Sequence, residues 1–471
     1  MSHTKSFING EFVDSPESYL NIDPSTGQSL GAVARGTDAE VDRAVQAARG
    51  AQKAWSRTSP EERANLLTRL SELILQNQDE LARMESEDAG KPLSQARADA
   101  AIAARYFQFY GRAIDSYYGL TIPLQSDMHV YTRREPFGVT GHVLAWNYPM
   151  QLFSRAVAPA IATGNCSVVK PADETPRTAV RIAELAIQAG VPRGVLNVVT
   201  GIGSEAGAAL SAHADVDHIG FVGSTQIGSV IAAAAAERVV PAMLELGGKS
   251  AHLVFPDADL NASAFYATKG ILANAGQTCS AGSRLLVHSS IYDQMLEKIA
   301  DNFRKTSIGP GLEDKDLGPL VSLKQQGRVR GMVDAADGEI VFGGGIPENL
   351  GEGAFFQPTL ISGVDPLSKI AQEEVFGPVL VAMAFDTEEE AVALANGTEY
   401  GLMSAVWTRD LARAHRLSAD IHAGQVYVNA YGAGGGVELP FGGFKKSGYG
   451  REKGYEALDA YTETKTVIMK L

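Results

Sequence analysis

Between residues 139 and 246 the chain alternates short apolar runs with helical segments in regular order. Runs with strand character stand at Val139–Leu144, Ser167–Lys170, Val195–Val199, Ile219–Val222 and Ala242–Leu246. Helical segments lie between them, among them Arg177–Ala189, closed by Gly190, and Gly203–His213. Alternating β and α units predict a parallel sheet with helices on both faces. Ligands of such sheets bind beyond the C-terminal ends of the strands. Those ends carry Trp146-Asn147, Lys170, Gly201–Gly207, Gly223-Ser224-Thr225 and Glu245. Five strands thus deliver polar or glycine-rich residues to one edge.

The flanking regions extend this plan. A short strand pair is expected around Ser6–Val13. Ser59-Pro60-Glu61-Glu62 reads as an N-cap, a proline at the first helical position and a capping-box glutamate. Leu66, Leu67, Leu70, Leu73 and Ile74 follow at helical spacing. Asn77 with Glu80 marks another helix start, and Gly90 its stop. From Tyr117 to Phe137 two extended segments, Tyr118–Leu124 and His129–Arg134, flank the turn Gln125-Ser126-Asp127. That ribbon reads equally as a surface hairpin or as an edge covered by a partner subunit. The linker Gly247-Gly248 leads to a second α/β region reaching about Phe441, and Thr464–Leu471 reads as a terminal strand.

A chain of 471 residues is long enough for two or three domains. Its net charge of −14 argues against nucleic acid, which needs clustered cations. Two cysteines suggest no disulfide framework, and no Cys/His spacing suggests zinc, so no metal is expected. Met1–Phe7 lacks an apolar signal core and no run reaches membrane-spanning length, so a cytoplasmic enzyme without membrane partners is expected.

One cysteine sits among small residues, in Asn274-Ala275-Gly276-Gln277-Thr278-Cys279-Ser280-Ala281-Gly282. A thiol without bulky neighbours can be reached by a substrate and is the most nucleophilic common side chain. By itself the stretch fits a small buried hydrophobe as well. Cys166, entering a buried strand, reads as structural. Glu245 stands between two leucines, where burial raises a carboxyl pKa and suits a general base; a carboxylate satisfied by amides is the alternative. Asn147 offers a neutral amide to an oxyanion or serves its own turn. Lys170 at a strand end suits ribose hydroxyls, or is a plain surface lysine. Gly223-Ser224-Thr225-Gln226-Ile227-Gly228 suits a phosphate at a helix start, though a Ser/Thr cap explains it equally. Gly247-Gly248-Lys249-Ser250 resembles the end of a Walker A loop, but Met243 stands where that motif needs glycine.

Taken together these segments resemble the aldehyde dehydrogenase superfamily over essentially the whole chain. The resemblance rests on Trp146-Asn147-Tyr148-Pro149, Lys170-Pro171-Ala172, Phe221-Val222-Gly223-Ser224-Thr225, Leu244-Glu245-Leu246-Gly247-Gly248-Lys249, Gly276-Gln277-Thr278-Cys279, Glu374-Val375-Phe376-Gly377-Pro378 and Pro440-Phe441-Gly442-Gly443, in family order. It implies an α/β fold with a Rossmann-type cofactor domain (1–116 and 138–247), an α/β catalytic domain (248–445) and a small β oligomerisation extension (117–137 and 462–471). It implies Cys279 as nucleophile, Glu245 as the base for hydrolysis, and Asn147 with the Cys279 N–H for the oxyanion. Lys170 and Glu374 would hold ribose hydroxyls, with Phe376 beside the nicotinamide ribose. Trp146, Gly203, Gly207, Gly223, Ser224 and Ile227 would line the rest of the cofactor site. Asp173 with Glu174 would repel a 2′-phosphate, which favours NAD and leaves NADP open.

The retained Glu245 favours hydrolysis over acyl transfer to coenzyme A, and the complete residue set argues against a non-catalytic scaffold. The implied assembly is a homodimer or homotetramer. The aldehyde pocket is expected near Tyr148, Gln151, Thr278, Ser280 and Phe441, with parts of Tyr431–Glu438. An arginine there, Arg155 or Arg284, would favour a carboxylate-bearing aldehyde and Glu438 a cationic one, so the substrate stays open.

Overall fold

The computed structural model describes residues 2–432 and 436–471. Ala433, Gly434 and Gly435, part of the glycine-rich Tyr431–Gly436, lie outside the described residues.

The five apolar runs form the centre of an eight-stranded sheet. Its order is Gly448–Tyr449, Ala242–Glu245, His218–Val222, Val139–Val143, Cys166–Lys170, Leu196–Val198, Ser6–Ile8 and Glu11–Val13. The five central strands pair in parallel, as the alternation requires. The N-terminal pair joins through Asn9-Gly10, both left-handed (φ 53° and 74°), the backbone that a two-residue hairpin turn needs. Between the strands the segment 203–212 departs from a plain helix: a π-turn at Gly203–Gly207 precedes the short helix Ala208–Ala212.

A second sheet of seven strands has the order Glu339–Phe342, Thr359–Ser362, Val379–Phe385, Arg284–His288, Ala251–Val254, Met403–Trp407 and Gln425–Val428. Only its outermost pair, Glu339–Phe342 with Thr359–Ser362, is antiparallel. Each sheet has its own apolar core. Ala242–Glu245 and Ala251–Val254 are neighbours in the chain yet belong to different sheets, so residues 246–250 cross between them. A Cβ at Gly248 would lie 2.3 Å from the Cys279 carbonyl oxygen, which explains why this crossing has no side chain there.

The C-terminal strand Thr462–Lys470 pairs antiparallel with Met128–Pro136 over nine positions. The other expected arm, Tyr118–Leu124, is not a strand. It contributes one isolated bridge, Thr121 with Tyr131, and the Ile122 N–H donates to the Val130 carbonyl at 2.9 Å. The pairing goes no further because the Met128 N–H turns to the Gln125 carbonyl at 3.0 Å and closes the turn.

Helices start where the capping signals stand, with two differences, the first being that Asn77 makes no side-chain cap and its Nδ2 donates to the Leu73 carbonyl at 2.7 Å. Ser59 Oγ accepts from the Glu62 N–H at 3.1 Å and Pro60 opens the helix Pro60–Gln76. The reciprocal glutamate contact forms elsewhere, where Glu40 accepts the Thr37 N–H at 2.7 Å. Helix Gln78–Ala89 ends at Gly90 with φ 75°. Ser59→Ala is expected to cost about 1 kcal/mol. Denaturant melts should show a lower midpoint at unchanged slope, and an unmoved midpoint would argue against the cap.

Candidate active site

The cysteine loop owes its shape to strained backbone. Helix Leu260–Leu272 stops, and Asn274, Ala275 and Gly276 follow with φ of 48°, 55° and 71°. Consecutive left-handed residues cost free energy and persist only where packing holds them. Here a Cβ on Gly276 would fall 2.1 Å from the Gly377 carbonyl oxygen, so the loop is pressed against another strained turn, with Phe376 at φ 59°. Hydrogen bonds hold the remainder. The buried Gln277 side chain accepts from the Val321 N–H at 2.8 Å and donates to the Asn274 carbonyl at 3.1 Å. Asn147 Nδ2 donates to the Gln277 carbonyl at 3.0 Å, and Asn274 Nδ2 donates to the Asn147 carbonyl at 2.7 Å. Cys279 emerges half-buried beyond this network.

It faces a cavity of about 190 Å³ between the two sheets. From the first sheet's strand ends come Trp146, Asn147, Tyr148, Gln151, Gly223, Ser224 and Glu245; from the second side come Thr278, Cys279, Ser280, Glu374, Phe376 and Phe441. All three expected catalytic residues and all five expected pocket residues therefore share one space. Trp146 and Phe376 meet edge to face at 5.2 Å. Ser224 caps the 14-residue helix Thr225–Arg238 through the Ile227 N–H, at 3.4 Å. Five expected cofactor residues do not line this cavity. Buried Lys170 forms an ion pair with Asp173, beside Gly203 and Gly207, and Ile227 stands half-exposed on the first helical turn.

A family model described as the aldehyde dehydrogenase family matches residues 12–467. The chain belongs to that family. Aldehyde dehydrogenase 1 of Tanacetum cinerariifolium is 42% identical over 473 residues, covering 98% of this chain and 94% of that protein. An NAD+ complex of an aldehyde dehydrogenase from Bacillus cereus superposes with a TM-score of 0.98 at 38% identity, covering 100% of this chain and 97% of the other. A P. syringae indole-3-acetaldehyde dehydrogenase in complex with NAD+ gives 0.97 at 41% identity, covering 99% and 96%. This protein is accordingly an enzyme, an oxidoreductase of aldehydes. Among the described residues no helix is long and apolar enough to cross a membrane, and no cluster of three or more groups could hold a metal ion.

Electrostatics in this aldehyde dehydrogenase are governed by burial. Among the described residues both Glu245 oxygens lack a hydrogen-bond partner, and burial followed by the Glu452 charge pushes its carboxyl up to about 8. Burial likewise pushes the Cys279 thiol up to about 12, opposed by Arg155 and Lys453. Glu374 is raised to about 7 by burial, although it accepts the Gly248 N–H at 2.9 Å.

Lys453, which lines the cavity, and Glu452, which pairs with the lining Arg155, were not singled out from the sequence. Glu452 and Lys453 sit in a glycine-rich turn with no local signal of chemistry. Glu452 forms a buried ion pair with Arg155, and Lys453 stands over the Phe441 ring at 4.8 Å. Arg155 thus faces the cavity, but its charge is already matched. Arg284 does not face it: its guanidinium donates to the carbonyls of Lys249, Leu394 and Ala395. Glu438 pairs with Arg105 outside the cavity.

A carboxyl raised from 4.5 to about 8 binds its proton more tightly in the folded chain, so its ionisation destabilises the fold increasingly between those values. Glu245→Gln removes that cost. Its thermal midpoint should exceed the parent's at a pH above 8, with the gap closing near 4.5; a constant gap would contradict the shift.

Proposed function

We propose that the protein oxidises an aldehyde to its carboxylic acid with NAD(P)+ through a covalent Cys279 adduct, hydrolysed with Glu245 as general base. The observation that carries this is the convergence of Cys279, Asn147 and buried, unpartnered Glu245 on one cavity. Cys279 Sγ adds as the thiolate to the aldehyde carbon, and the carbonyl oxygen takes up the charge as the thiohemiacetal oxyanion. Asn147 spends one amide hydrogen on the Gln277 carbonyl, which leaves its second for the oxyanion alongside the Cys279 N–H. Loss of hydride from the adduct leaves a thioester on Cys279. Glu245 then takes a proton from water, which attacks the thioester and frees the acid and the thiol.

The residues present fit a dinucleotide, which when bound supplies the hydride acceptor. Gly223 and Ser224 place a long helix's N-terminus in the cavity wall, suited to a phosphate. Glu374, and Lys170 held by Asp173, would take ribose hydroxyls, and the Trp146–Phe376 pair gives an aromatic wall. Gly203 and Gly207 lie beside the Lys170 side chain, and we assign them to the same cofactor site with Ile227, on the first turn of the Ser224-capped helix. Carboxylates at Asp173 and Glu174 disfavour a 2′-phosphate, so NAD is the preferred cofactor with NADP possible.

We assign cofactor binding to 1–116 and 138–247, catalysis to 248–445 and subunit contacts to 117–137 with 462–471. Supporting the last, Tyr118, Leu120, Leu124, Ile468 and Leu471 are exposed apolar side chains on that ribbon, suited to a homodimer or homotetramer.

Absorbance of reduced nicotinamide, followed with aliphatic and aromatic aldehydes, tests the reaction. Cys279→Ala should abolish reduction by at least a thousandfold. Glu245→Gln should give one equivalent of reduced cofactor per site and then stall, because the thioester waits for its base. Sustained turnover in Cys279→Ala would sink the proposal. Wild-type hydrolysis, where limiting, should rise with pH and level off above about 8 as Glu245 ionises.

A further inference from the structure

The wall carrying Tyr148 and Gln151 is held from behind by three buried ionisable groups, Lys91, Glu85 and Asp99. Lys91, just past the Gly90 stop, donates to Glu85 Oε1 at 2.5 Å and pairs with Asp99 Oδ2, and its ammonium stands 4.0 Å over the Tyr148 ring. Its three hydrogens thus face two carboxylates and a π-face, a complete set for an ammonium. The carboxylates reach onward to the start of helix Pro149–Ala162. Glu85 Oε2 accepts the Met150 N–H at 3.3 Å, and Asp99 Oδ1 accepts Gln151 Nε2 at 2.6 Å.

The last contact decides which end of Gln151 the substrate meets. A carboxylate held by a buried ammonium only accepts, so Gln151 must turn its NH2 toward Asp99. Its Oε1 accepts from no group among the described residues and is not sealed in the protein. Gln151 lines the Cys279 cavity and also an outer groove that carries Phe265 and Ile102. Tyr148 is shared by the same two spaces.

We infer that Gln151 is a specificity residue, locked by Asp99 and Lys91 to present a carbonyl acceptor to the aldehyde's far end. The class of substrate it selects is an aldehyde carrying a neutral hydrogen-bond donor, O–H or N–H, on an apolar or aromatic body. A carboxylate in that place would meet a lone pair, and Arg155 is already matched by Glu452. This rests on the oxidation proposed above and goes beyond it by naming the substrate class. Asp99 and Lys91 act as positioning residues, because they reach the substrate only through Gln151.

The test compares kcat/KM for phenylacetaldehyde, its meta- and para-hydroxy forms and its para-carboxylate, with NAD+, in wild type, Gln151→Met and Asp99→Asn. In wild type one hydroxy form should exceed the parent aldehyde by on the order of tenfold, chiefly in KM, and the carboxylate should fall below it. In Gln151→Met the ratio should drop to near one. The ratio within each variant carries the reading, so a change in overall rate does not affect it. Asp99→Asn keeps its amide oxygen on Lys91 and donates its NH2 to Gln151 Oε1, so Gln151 turns its own NH2 to the substrate and the preference should also be lost while KM for NAD+ holds; it serves if Gln151→Met does not fold. Equal efficiencies in wild type, or a preference that survives both substitutions, would overturn the inference while leaving oxidation standing. Absence of Cys279-dependent reduction with every aldehyde would overturn oxidation itself and this inference with it.

Discussion

Water exclusion from the cavity between the two sheets is the constraint on which the rest of the site depends. Cys279, Glu245, Glu374, Arg155, Glu452 and Lys453 all face or adjoin that space, and a charge removed from water is costly unless another group offsets it. Arg155 meets this by pairing with Glu452. Glu245 has no such partner and meets it by holding its proton, which places its carboxyl where a base is useful near neutral pH. The cost of these buried groups falls on the two apolar cores, each built on mostly parallel strands buried on both faces.

Close backbone approach keeps the cavity's parts in register. A Cβ at Gly442 would lie 2.9 Å from Glu245 Oε1, one at Gly247 2.7 Å from Glu374 Oε2, and one at Gly248 2.3 Å from the Cys279 carbonyl. Any side chain at these places would displace a group that lines or borders the site. The strained residues Asn274, Ala275 and Phe376 lie in the same layer, so the packing that closes the cavity also holds their conformations.

Much of this was legible in the sequence because it is local. Strict alternation implied parallel strands, and strand ends implied where Asn147, Gly223 and Glu245 would gather. Strand order was not legible, and it matters: Cys166–Lys170 lies beyond Val139–Val143 from the Glu245 strand, so Lys170 misses the Cys279 cavity. Partners far apart in sequence were equally hidden. Nothing near Glu452 indicates that Arg155, almost three hundred residues earlier, will meet it. The arm Tyr118–Leu124 looked extended because its apolar content is strand-like, yet it makes only one bridge to the neighbouring strand, Thr121 with Tyr131.

Helix Pro149–Ala162 ties these observations together. Tyr148, Gln151, Leu152 and Arg155 all line the cavity, spaced at i, i+3, i+4 and i+7, the spacing of one helical face. The first turn is anchored by Glu85 and Asp99 around Lys91, and the second by the Arg155–Glu452 pair. Two independent anchors on one 14-residue helix leave it little freedom to roll. A roll would shift the Asn147 amide, just before the helix, and the Gln151 carbonyl together. The buried groups behind this wall therefore hold, through one element, both the amide to which we assign the oxyanion and the side chain to which we assign the choice of aldehyde.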